Sequence, residues 1–182
     1  MSKRQLKKYL SEIPKEALEE QLLDLYQRFS VVKEYYDFVF NPKEDKMVQE
    51  AKAKISNEYF PLRRKRPKAR RSVAQKFIKH FQKLGMDAPM VADLMLYNIE
   101  IAQTFASEKN VPDAFYKSML NSFEEAVRYI SINALLDAYR PRIEKIYVLT
   151  QTGAWLLSEG FSRVYDGIDT DTKANNDFLN EI

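Results

Sequence analysis

Apolar side chains recur every three or four residues along nearly the whole of this chain, and no segment sustains an every-second-residue alternation. The first spacing places side chains on one face of a helix; the second would have marked strands. The clearest case is Val91, Leu94, Met95, Ile99, Ala102 and Phe105, with Leu96 and Ile101 widening the face. A helix apolar over so much of its circumference belongs at the centre of a fold. Weaker stripes repeat the pattern: Leu18, Leu22, Leu25 and Phe29; Val48, Ala51, Ile55 and Tyr59; Ala74, Phe77, Phe81 and Leu84; Phe115, Met119 and Phe123. Only four of 182 residues are glycine, too few for a set of hairpin turns. The predicted class is all-α, with seven or eight helices in a compact bundle or in stacked helical pairs resembling an α-α superhelix. Its core centres on Leu94, Met95, Ile99, Phe105, Phe115, Met119 and Phe123.

Capping residues punctuate the stripes. Ser2-Lys3-Arg4-Gln5 reads as a capping box, and Pro14 suits a first turn. A break or kink near Ser30 fits the second stripe. Asn41-Pro42-Lys43-Glu44 reads as a cap, a first-turn proline and a box acid, and Pro61 stops the helix they open. Ser72-Val73-Ala74-Gln75 is a further box, whose helix ends at Gly85 in a left-handed cap. Residues 133–150 read as one kinked helix or two short ones, and 154–166 as a last, weaker helix. The pattern gives one helical domain over 1–168 and a polar tail, 169–182, prone to fray.

Composition removes whole classes of chemistry. With no cysteine there is no disulfide, thiol nucleophile or thiolate metal site, and with His80 alone there is no two-histidine site. His80 also lacks a neighbour placed to orient it as a base, so it reads as a surface or boundary histidine. The four glycines never come closer than seven residues, so no phosphate-cradling loop exists. No metal and no cofactor is expected. The longest apolar runs are four residues, far short of the ~20 a spanning helix needs. The basic start Met1–Lys8 lacks the apolar stretch of a secretory signal, which points to the cytoplasm and away from membranes.

A net charge of +3 hides a lopsided distribution: residues 1–91 carry 21 basic and 12 acidic side chains, residues 92–182 carry 8 and 14. The excess lies between Glu58 and Asp87, where no acid occurs. That interval holds Arg63, Arg64, Lys65, Arg66, Lys68, Arg70, Arg71, Lys76, Lys79 and Lys83. So many like charges belong on an exposed connector, continued as a lysine stripe on the following helix. Such an arm suits a phosphate backbone, where counterion release drives binding. It equally suits solvation, or an acidic protein surface.

On the most apolar helix, Asp93, Tyr97, Glu100 and Thr104 form a polar stripe. Paired carboxylates do acid–base work when burial shifts their pKa values, but an amphipathic helix needs a polar face in any case.

Three strings carry a resemblance: Val32–Pro42 (VKEYYDFVFNP), Glu50–Pro61 (EAKAKISNEYFP) and Met95–Glu100 (MLYNIE), with Phe115–Leu120 (FYKSML) in support. The chain resembles the bacterial domain-of-unknown-function family six-one-five-five, from its N-terminus to about residue 150. The resemblance implies a small helical protein and no activity.

The reading therefore favours a non-enzymatic protein-interaction or scaffold module, with a protein partner or self-association. Nucleic-acid binding through segment 62–83 is the first alternative. An enzyme using Asp93 and Glu100 is the second.

Overall fold

The computed structural model describes residues 2–63 and 66–168. The tail expected over 169–182 lies outside the described residues. Among the described residues there are nine helices and no strand. The all-α class is as expected, while the count exceeds seven or eight. The extra helix comes from the break near Ser30: Phe29 is extended (φ −116°, ψ 111°) and ends one helix as it begins the next. Neither proline nor glycine marks that break, so the apolar stripe runs straight through it in the sequence. Two compact units meet in the chain between Lys43 and Glu44.

The first unit holds α1 (Lys3–Glu12), α2 (Lys15–Arg28) and α3 (Ser30–Phe40). Its entry is the expected capping box: the Gln5 amide donates to Ser2 Oγ, and the Ser2 amide to Gln5 Oε1. Helices α2 and α3 are clasped by polar groups. Tyr26 Oη donates to Asp37 (2.7 Å), and Lys33 Nζ donates to both Tyr26 Oη (3.0 Å) and Asp37 (2.7 Å). None of the three helices contains a buried residue.

The second unit holds α4 (Glu44–Tyr59), α5 (Arg71–Leu84), α6 (Ala88–Glu108), α7 (Asp113–Ile132), α8 (Leu136–Thr152) and α9 (158–168). Helix α6 is its axis, packing on α4, α5, α7 and α8. All seven residues expected at the core are buried, Leu94, Ile99 and Phe123 completely. Burial drives the Tyr59 phenol up to about 12, with the Glu58 carboxylate adding to the shift.

Two caps differ from expectation. Asn41 closes α3, its amide donating to the Asp37 carbonyl (3.2 Å), and α4 starts only at Glu44. Helix α5 starts at Arg71, not from a Ser72 cap. There the Lys68 and Ala69 amides both donate to the Glu58 carbonyl, which fixes the approach and turns the chain into the helix two residues earlier than a Ser72 cap would. Gly85 does supply the left-handed cap (φ 78°). Residues 136–152 form a single helix with Pro141 inside it.

Trp155 lies in the link between α8 and α9, 7% exposed. Its ring meets Tyr116 (5.2 Å between centroids), Phe161 (5.7 Å) and Phe115 (6.2 Å). Helix α9 then lies against α7 through Gly160, where a Cβ would sit 2.5 Å from a methyl of Leu120.

Candidate functional site

The basic interval divides into tied and free charges. Glu58, at the end of α4 and only 6% exposed, receives a two-pronged contact from Arg70: Nε to Oε2 at 2.9 Å and Nη2 to Oε1 at 3.1 Å. That bonding holds the Arg70 guanidinium still more firmly protonated than usual. Arg71 reaches the other way, to α7, with Nε on Ser122 Oγ (2.7 Å) and Nη2 on Glu125 (2.8 Å). Gln75 donates to the same Glu125 oxygen at 3.0 Å. These two arginines staple the connector to the body of the unit.

The other charges stay outside. Arg63, Arg66 and Lys68 are exposed on the connector, and Arg64 and Lys65 lie outside the described residues. Lys76, Lys79 and Lys83 are exposed on α5, on the side away from its buried Ala74, Ile78 and Phe81. The half-exposed His80 lies tilted against Phe81, with 5.9 Å between ring centroids and 48° between their planes.

The sequence did not point to two further arginines. A cleft of about 300 Å³ between α5 and α7 is lined by Gln75, Lys79, Gln82, Arg128 and Tyr129. A groove of about 590 Å³ between α7 and α9 is lined by Arg128, Arg163, Val127, Val164 and Gly167. Arg128 and Ile132 belong to both. Arg128 and Arg163 lie in the acidic half of the chain, where no local run of charge singles them out. Only the packing of α5, α7 and α9 puts Arg128 in one cleft with Lys79 and in one groove with Arg163.

The α6 stripe has a different character. Arg142 of α8 donates to Glu100 through Nε and Nη2 (2.8 Å each) and to Asp93 through Nη1 (2.6 Å). Lys52 of α4 pairs with the other Asp93 oxygen and lies over the Tyr97 ring. Burial alone would raise the Asp93 pKa, but the hydrogen bonds from Lys52 and Arg142 outweigh it and hold the carboxyl below its ordinary range. A general acid near neutral pH needs the opposite shift. The stripe ties three helices together, and Asp93 offers no poised proton. Thr104 at its end is exposed and donates to the Glu100 carbonyl. Among the described residues, no group of three acidic or histidine side chains is placed to hold a metal. No helix of the described residues is long and apolar enough to cross a membrane.

A model of a family of unknown function, DUF6155, matches residues 1–169. The chain belongs to that family, and the match reaches beyond residue 150 through all the described helices. No curated protein and no solved structure matches the chain.

Proposed function

We propose that this family member is a non-enzymatic protein-interaction module of the cytoplasm, with its N-terminal unit as the working surface. One observation carries the reading: α1, α2 and α3 contain no buried residue although they are rich in large apolar side chains. Leu6, Tyr9, Leu10, Leu18, Leu22 and Leu25 are 39–45% exposed, and Phe29 is 53% exposed. Tyr9 and Gln21 are hydrogen-bonded to each other, which joins α1 to α2 and makes the two stripes neighbours. Apolar surface gathered in this way on a folded protein marks a place where another surface sits. The test is affinity capture from native lysate with the full chain and with a Leu22→Asp, Leu25→Asp variant. A partner retained by the first and lost by the second is the expected result. Equal capture by both, or strong hydrogen-exchange protection of α1 and α2 in the isolated chain, overturns the reading.

A second reading rests on a separate observation, the exposed Lys76, Lys79 and Lys83 on a helix without acids. It makes the α5 face a polyanion site. Reversing these three charges, which form no ion pair among the described residues, should remove binding to nucleic acid at low salt.

A further inference from the structure

The polyanion reading treats α5 as the site, yet the cationic surface extends past that helix. Lys79 and Arg128 line one cleft; Arg128 and Arg163 line the next groove. Arg128 and Ile132 of α7 line both, so the two depressions adjoin across that helix and together make a trough in two parts, one toward α5 and one toward α9. Lys79, Arg128 and Arg163 are exposed, and among the described residues none of them forms an ion pair. Glu125 lines the cleft too, but its charge is met by Arg71 and Gln75. That arrangement assigns Arg71 the work of neutralising the acid in the cleft. Tyr129, half-buried, lines the same cleft as Lys79, Arg128 and Gln82.

We propose that this trough binds single-stranded nucleic acid, with Tyr129 stacking on a base and Lys79, Arg128 and Arg163 meeting the phosphates along it. The proposal rests on the polyanion reading of α5 and deepens it by naming the substrate class and three residues outside the basic interval. A cationic line interrupted by an aromatic ring is the general form of a sequence-tolerant single-strand site. A duplex keeps its bases stacked inside and would leave Tyr129 unused. An acidic peptide answers the charges but supplies no flat π face. Glu124, on the wall of the wider groove, opposes an anion there, so its removal should tighten binding.

The experiment is fluorescence anisotropy of the full chain with a labelled oligouridine, its duplex, and poly-glutamate, at low salt and across a salt series. The single strand should bind at least tenfold tighter than either competitor. Its log affinity should fall with log salt at about −0.7 per phosphate neutralised. Tyr129→Ala should weaken binding about tenfold or more while Tyr129→Phe, which keeps the ring, leaves it unchanged. Arg128→Glu and Arg163→Glu should each weaken it, and Glu124→Gln should strengthen it. Circular dichroism of each variant establishes that the helices persist. Preference for duplex or for poly-glutamate overturns the proposal, as does indifference to Tyr129 and Arg163. If reversal of Lys76, Lys79 and Lys83 alone abolishes binding while the Arg128, Tyr129 and Arg163 variants bind normally, the α5 reading stands and the trough falls. If nothing binds at low salt, both fall.

Discussion

Arg142 grips Glu100 with one edge of its guanidinium, Nε and Nη2 each 2.8 Å from a carboxylate oxygen. Its remaining nitrogen is on Asp93, two helical turns away. The planar fork of arginine suits this bridging, and a lysine could not reproduce it. Arg142→Ala should therefore lower stability by about 1.5–3 kcal/mol, the value of hydrogen bonds to charged groups. Arg142→Lys should recover only part of the loss. Urea unfolding midpoints check both.

The same network predicts an acid limit. The Asp93 carboxyl titrates below its ordinary 3.8 in the fold, so the folded state holds this proton less readily than the unfolded chain. The stability it contributes is present above the unfolded pKa and drains away as pH falls through the lower, folded one. Asp93→Asn should be less stable at neutral pH and should show a flatter loss between about pH 5 and 2. Thermal melts across that range measure the difference. Parallel pH curves for the two proteins would rule the account out.

Asn98 is 1% exposed in the middle of α6, and among the described residues neither polar atom of its amide has a hydrogen-bond partner. The Tyr59 hydroxyl is in the same position. Polar atoms buried this way cost about 1–3 kcal/mol each. Asn98→Leu and Tyr59→Phe should each raise the melting temperature. A fall in either would locate a partner for that group in solution.

Gly160→Ala sets two effects against each other. Alanine is favoured over glycine in a helix by about 1 kcal/mol, but its methyl would meet Leu120 at 2.5 Å. Overpacking costs about 1–3 kcal/mol, so the variant should be destabilised, and Leu120→Ala in the same chain should recover the loss. A double-mutant cycle with no coupling would break the link between these two residues.

Glu58 should control access to the connector. It accepts both prongs of Arg70 and, through its carbonyl, the amides of Lys68 and Ala69. Glu58→Gln removes the charge that holds Arg70 and should accelerate tryptic cleavage after Arg63 and Lys68. Mass spectrometry of the early fragments reports it.

The helices were legible because burial follows period. Leu94, Ile99 and Phe123 sit where the three-and-four spacing puts them. What sequence could not show depends on partners distant in the chain. Phe29 breaks a helix with no glycine or proline to announce it. Ser72 has the chemistry of a cap, but Glu58 fixes the chain ahead of it and the helix begins at Arg71. Asp93 and Glu100 look the same in the sequence whether they face water, a substrate or Arg142. Arg70 and Arg71 read as members of one basic run until Glu58 and Glu125 claim them. Arg128 and Arg163 are unremarkable residues until α7 and α9 are laid beside α5.

Trp155 is the chain's single tryptophan, and it sits in the link between α8 and α9, ringed by Tyr116, Phe161 and Phe115. The molecule thus carries a built-in optical reporter at one junction. Emission should be blue-shifted while α9 is docked and move to longer wavelength when that joint opens. Because no other indole contributes, a shift in colour without loss of helical ellipticity would time the release of the last helix separately from global unfolding.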